Sequence, residues 1–288
     1  MKRFQKRLVR EMSRYNDTFA RLSGRREGAL IPFVVLGDPD FETSQKILGV
    51  LCEKADILEL GFPFSDPIAD GKRIQAADQR ALSAGISVEK CFELIKGVRA
   101  KNPSIPIGLL LYYNLVYTNG CGNFLKRAKD AGVDGILIAD MPVEESGAIA
   151  KLCRKIGIEQ IFIVAQTTDG KRMKKILRVA AGFVYVVGVF GVTGERRDVG
   201  DAALETIRRA KAASRIPVCM GFGISEPSHV EKVIRAGADG AIIGSALEAV
   251  IERNLGDREK MIAEISAFIE KLKGATKAYE TDKASSGN

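Results

Sequence analysis

The chain has 288 residues, 46% of them hydrophobic and 28% charged, with a formal net charge of +8. This ordinary globular composition leaves room for one large α/β core, or for two smaller ones on length alone, and no apolar run is long enough to span a bilayer. A single histidine, His229, excludes a histidine metal cluster, and five widely spaced cysteines with no CxxC pair argue for reduced thiols rather than a disulfide framework or zinc site; acid–base chemistry is expected from Asp, Glu, Tyr, Lys or Cys.

The opening MKRFQKRLVREMSRY is basic but has neither an apolar h-region nor a small-residue cleavage site, so it is not a secretory signal and a cytoplasmic location is expected. Residues 1–11 read as a basic helical extension, 12–273 as the folded domain and 274–288 as a frayed tail. Within the domain, short apolar runs rich in β-branched residues alternate with segments of helical period. In chain order the predicted strands are ALIPFVVL (29–36), DILELGF (56–62), PIGLLLYY (106–113), GILIAD (135–140), QIFIVAQ (160–166), FVYVVG (183–188), PVCMGFG (217–223) and GAIIGS (240–245). The helices between them include FETSQKILGVLCEK, SVEKCFELIKGVRAK, NFLKRAKDAG, EESGAIAKLCRKIG, DAALETIRRAKAAS and PSHVEKVIRAG, the last closing on Gly237 as a stop signal.

Strict β–α alternation implies a parallel sheet. Eight units in this length favour a closed (β/α)8 TIM barrel, a single α/β domain, over an open doubly wound sheet. The open sheet would want GxGxxG after its first strand, where the chain reads GDPDFE. Lys and Arg are scattered over amphipathic segments such as KRMKKILRVA and RRAKAASR, a solvated helix surface with no RNP or zinc-finger pattern; the surplus charge mildly favours anionic, for example phosphorylated, substrates.

A barrel confines chemistry to the C-terminal ends of its strands and the loops that follow. In the second strand, alternation puts Leu58 and Leu60 on the outer face and Ile57, Glu59 and Gly61 inside. Desolvation should push the Glu59 carboxyl upward, toward the range where it donates and recovers a proton near neutral pH. The structural alternative is a glutamate paired with an inward Lys or Arg, and none of the eight runs contains one. Asp70 follows in the loop IADGKRIQ; alone it is an ordinary Asp-Gly turn signal, but beside Glu59 it is a candidate second carboxylate, more solvated and ionised. Glycine-rich segments at the ends of strands six to eight, GVTG (191–194), GFGIS (221–225) and Gly244-Ser245, sit where barrels build phosphate sites, with Ser245 read as both N-cap and phosphate ligand.

With these residues assembled, the sequence resembles the tryptophan synthase alpha subunit family over roughly residues 12–270, through RREGALIPFVVLGDP, LELGFPFSDPIADG, GLLLYYNLVY, IADMPVEES, VYVVGVFGVTG, GFGIS and GADGAIIGSA. The resemblance implies a lyase of tryptophan biosynthesis that cleaves indole-3-glycerol phosphate by a retro-aldol reaction to indole and glyceraldehyde 3-phosphate and passes indole to a beta subunit in an alpha-beta-beta-alpha complex. It implies no cofactor in this chain, with pyridoxal phosphate in the partner, and neither a metal, a nucleic acid nor a membrane as a further requirement. By the resemblance, Glu59 is the acid–base group at the indole ring carbon, Asp70 accepts the indole N–H and stabilises charge on the ring, and Tyr185 lies near the glutamate and glycerol chain. Tyr112 and Phe222 resemble walls of the indole pocket, lined by Leu110, Ala139 and Ile163. Gly194, Gly223, Gly244 and Ser245 correspond to the phosphate cradle, and Thr193 to the residue that contacts the loop aspartate on closure. Phe64, Asp66 and Asn114 match positions facing the partner.

The sequence departs from the family after Asp70, where the usual GPTIQ reads GKRIQ with Lys72 and Arg73, and in the sixth loop, where Gly188-Val189-Phe190 stands and a serine is common at the position of Gly188. Both departures bear on loop closure rather than on the reacting groups. Two other readings are a noncatalytic regulatory partner of the beta subunit, against which intact Glu59 and Asp70 speak, and a sibling phosphate-binding barrel, which would not need LELGFPFSDP.

Overall fold

A strand covered by helices on one side and by a closed interior on the other must be apolar on both faces, and the eight β-branched runs meet that demand. The computed structural model describes residues 13–188, 199–221 and 223–277. Its strands are β1 (Ala29–Val35), β2 (Leu58–Gly61), β3 (Ile107–Leu111), β4 (Gly135–Ile138), β5 (Glu159–Ala165), β6 (Val184–Val187), β7 (Val218–Gly221) and β8 (Gly240–Ile243). Each pairs in parallel with the next, β8 returns to β1, and the sheet closes as a TIM barrel.

Most strands stop short of the apolar runs that predict them: GILIAD yields Gly135–Ile138, and PVCMGFG yields Val218–Gly221. Among the surplus residues, Ala139 and Gly223 follow the ends of β4 and β7 and line a cavity instead of a sheet.

The alternation holds through β2. Leu58 and Leu60 pack outward with Leu48, Leu51 and Ile95 in the layer between sheet and helices, while Ile57 joins Ile31, Leu137 and Ile161 inside. The register sets Glu59 between Phe33 of β1 and Gly108 of β3.

The other end of the barrel is stoppered by the helix Arg14–Gly24, which starts on Ser13 as N-cap and buries Tyr15, Phe19 and Leu22. Tyr15 is fully buried, edge-on to Phe183 at 5.7 Å between ring centroids. Strands β3 and β4 carry glycines facing it for a steric reason: a Cβ on Gly108 or Gly135 would stand 2.7 or 2.8 Å from the Tyr15 hydroxyl.

Helix starts are set by side chains that accept a first-turn N–H, among them Asp40, Ser87, Asp169 and Asp257. The stop predicted at Gly237 is real, at φ +101°. Within the segment read from sequence as the tail, Ala275 and Thr276 are buried, and the Thr276 carbonyl accepts the Gly28 N–H at 2.9 Å. Residues 1–11 and 278–288 lie outside the described residues. Among the described residues no helix is long and apolar enough to cross a membrane, and no group of three or more His, Cys, Asp or Glu is arranged to hold a metal ion.

Candidate active site

A cavity of about 510 Å3 opens at the C-terminal mouth of the barrel. Its walls are apolar side chains from the strands, notably Phe33, Leu110, Ile163 and Ile242, with Ala139 just past β4. Its polar side chains include Asp70 and Arg73 after β2, Tyr185 of β6, Ser225 and Glu226 after β7, and Ser245 after β8.

Glu59 is not among the residues lining this cavity; it is 2% exposed and pairs in register with Phe33, which does line it. Burial pushes its carboxyl up to about 8, so it is mostly protonated at neutral pH. Its Oε2 has no hydrogen-bond partner among the described residues, and no cation holds it in its ionised form there. Tyr185 lines the cavity, and its phenol is pushed well above the ordinary range, first by burial and then by the charges of Glu59 and Asp70, so it stands within electrostatic reach of both carboxyls. Gly221 of β7 makes room for it, since a Cβ there would collide with the Tyr185 ring.

Asp70 is half-buried and lines the cavity. Tyr112 fixes it: the phenol donates to Asp70 Oδ2 at 2.7 Å and accepts the Ala69 N–H at 3.0 Å. Contrary to a freely solvated carboxylate, Asp70 is raised by burial, a rise opposed by the Tyr112 hydrogen bond. Tyr112 does not line the cavity as its reading as a pocket wall requires. It is 4% exposed, and its ring stacks on Phe64 at 5.0 Å and 18°.

At the end of β8, Gly244 caps the helix Ser245–Glu252 and Ser245 is its first residue, one position inside the N-cap place read from sequence. The helix has no side-chain cap hydrogen bond, and Gly244, Ser245 and Ala246 all line the cavity. First-turn N–H groups have no intrahelical partner and favour an anion. Gly223, at φ +79°, lines the cavity beside them, in a conformation that side chains resist.

A family model for the tryptophan synthase alpha chain matches residues 19–277. The chain belongs to that family. It is 53% identical over 260 residues to the tryptophan synthase alpha chain of Methanothermobacter thermautotrophicus, covering 90% of this chain and 96% of that one. To the alpha chain of Salmonella paratyphi C it is 44% identical, covering 93% and 100%. Among solved structures, a chain of the tryptophan synthase a2b2 complex from Pyrococcus furiosus superimposes with a TM-score of 0.81 at 40% identity, covering 86% of this chain and 98% of that one. An Aquifex aeolicus chain does so with a TM-score of 0.83 at 33% identity, covering 92% and 99%.

Of the residues that the family resemblance singles out, Asp70, Tyr185, Leu110, Ala139, Ile163, Gly223, Gly244 and Ser245 all line the one cavity. Phe64 is half-buried, whereas Asp66 and Asn114 are exposed, near the apolar side chains of Ile68 (86% exposed) and Tyr117 (64% exposed). Thr193, Gly194 and Phe222, like Val189 and Phe190, lie outside the described residues.

Sequence reasoning missed Phe33, Ile242 and two buried carboxyl groups. Period-2 alternation would have put Phe33 on the inner face with Ile31 and Val35. Asp78, 4% exposed, accepts the Phe64 N–H at 3.4 Å and is pushed up to about 7, by burial first and then by Asp70. Glu248, fully buried, accepts the Val35 N–H at 2.9 Å. Its Oε2 lies 3.9 Å from Arg80, which grips Asp38 with two bonds of 2.7 and 2.8 Å.

Proposed function

We propose that the cavity cleaves indole-3-glycerol phosphate, with Glu59 as its acid–base residue and Asp70 as its electrostatic partner. One observation carries the reading: a buried carboxyl raised by desolvation at the C-terminal end of the barrel, with no cation among the described residues to hold its charge.

The indole ring would lie among Leu110, Ala139 and Ile163, its N–H toward Asp70, and its phosphate at Gly223, Gly244 and Ser245. Glu59 gives its proton to ring carbon C3, and positive charge spreads onto the indole nitrogen, where the Asp70 carboxylate stabilises it. The Glu59 carboxylate so formed takes the proton of the adjacent side-chain hydroxyl. The C–C bond breaks, its electron pair restores the aromatic ring, and indole and glyceraldehyde 3-phosphate leave. The hydroxyl proton leaves Glu59 protonated again while the proton it gave stays on C3 of indole, so one group serves as acid and then base. Tyr112 holds Asp70 in place through its hydroxyl, and Tyr185 stands within electrostatic reach of both carboxyls.

The same reading gives the chain a beta partner, on the face carrying Phe64, Asp66 and Asn114, in an alpha-beta-beta-alpha assembly. The a2b2 complex of the Pyrococcus furiosus relative supports it. The partner would receive indole and carry pyridoxal phosphate; this chain would need no cofactor of its own and would act in the cytoplasm.

The test follows indole release from indole-3-glycerol phosphate, with and without a beta subunit. Wild type is expected to turn over, and Glu59→Gln to retain glycerol 3-phosphate binding while losing most turnover, about 100-fold or more. Wild-type-like turnover in E59Q would remove Glu59 from the chemistry.

A further inference from the structure

The segment after Asp70, GKRIQ, forms the first turn of the helix Lys72–Ser83. That helix packs beside Ser245–Glu252 across the end of β1. Both first turns reach the cavity, Arg73 from one and Ser245 and Ala246 from the other. Among the described residues, Arg73 is the only Lys or Arg in the lining, where Asp70 and Glu226 are carboxylates. A phosphorylated ligand entering such a mouth meets neutral N–H donors and two negative groups, so the one guanidinium decides much of the local balance.

Arg73 is also free to serve. Its side chain is 58% exposed, and its contact with Glu252, itself 48% exposed, is long at 3.8 Å from Nε to Oε2. Such a pair is weak and readily exchanged. A phosphate offers a guanidinium two oxygens in the plane of its fork, a better partner than a distant carboxylate.

We propose that Arg73 is a phosphate-binding side chain of this cavity, leaving Glu252 when a phosphorylated ligand enters and closing over the cradle formed by Gly223, Gly244 and Ser245. The proposal rests on the reading of the cavity as a site for a phosphorylated substrate. It places a cation at the second helical position, on the helix that packs beside Ser245–Glu252. Lys72, its exposed neighbour outside the lining, carries the same charge without the contact and serves as the internal control.

The experiment titrates the full chain with glycerol 3-phosphate by calorimetry at two ionic strengths, in wild type, Arg73→Ala, Lys72→Ala and Glu252→Gln. R73A is expected to weaken binding about five- to tenfold and to flatten its salt dependence, while K72A stays within about twofold of wild type. E252Q, which frees the guanidinium, is expected to tighten binding about twofold. In turnover, R73A should raise KM more than it lowers kcat, as a binding contact does. An R73A constant equal to wild type, or K72A weakening binding as much as R73A, overturns the assignment, the second outcome leaving only a long-range field. If the wild-type chain binds no glycerol 3-phosphate, the phosphate reading of the cavity falls, and Arg73 with it.

Discussion

A carboxyl that loses its water shell on folding titrates late, and Glu59, pushed up to about 8 by burial, keeps its proton over a pH range in which the unfolded chain has already given it up. Between the ordinary carboxyl range and pH 8 the folded state therefore holds one more proton than the unfolded state, and stability falls as pH rises. Glu59→Gln abolishes that dependence. In denaturant titrations from pH 5 to 8.5, the stability of E59Q relative to wild type should climb with pH, reaching on the order of 3 kcal/mol near pH 8. A difference flat in pH would mean that Glu59 is already ionised in the folded barrel. Turnover should move oppositely, with an alkaline limb near pH 8 in the wild type as the acid loses its proton. Glu59 was legible because alternation fixes which way a strand residue points. Tyr112 was not. It follows Leu111, the last residue of β3, where the period no longer governs direction, and its bond to Asp70 depends on a loop that periodicity cannot fold.

Helix boundaries were legible where a side chain announces them. The helices Phe41–Lys54 and Val88–Lys101 start immediately after Asp40 and Ser87, which accept their first-turn N–H groups. The helix Lys72–Ser83 begins on Gly71 with no side-chain cap, so the sequence there reads as a continued loop. That helix and Ser245–Glu252 are joined by Arg80, whose guanidinium binds buried Asp38 twice and lies 3.9 Å from Glu248. Burial raises the Glu248 carboxyl well above its usual range, with Asp38 adding to the rise. The two acidic partners are held differently: Asp38 takes both guanidinium bonds, while Glu248 accepts the Val35 N–H and stands 3.9 Å from Arg80. Arg80→Ala should cost about 3 kcal/mol by stranding a buried carboxylate. Glu248→Gln keeps an acceptor oxygen and should be neutral or slightly stabilising at pH 7. Chemical denaturation of both variants checks the contrast, and a large loss in E248Q would show that Glu248 is charged.

At the scale of the molecule, eight strand–helix units could be counted from the sequence, and closure followed from their number and spacing. The stopper could not. Tyr15 meets Gly108 and Gly135 across long stretches of chain, a packing that no local period encodes. Its ring fills the closed end of the barrel, but its hydroxyl finds no hydrogen-bond partner among the described residues. Tyr15→Ala should therefore destabilise by about 3–5 kcal/mol, whereas Tyr15→Phe, which removes only the unsatisfied oxygen, should match or exceed wild type. Thermal denaturation of the pair decides it, since equal losses would assign the hydroxyl a partner. At the opposite end, the ring that steadies Asp70 is the ring on which Phe64 lies. Pressure applied to Phe64 by a docked molecule would pass through two stacked aromatics to the aspartate in a single step. The barrel thus carries, outside its own reaction chamber, a ring that reaches a carboxyl within through a single neighbour.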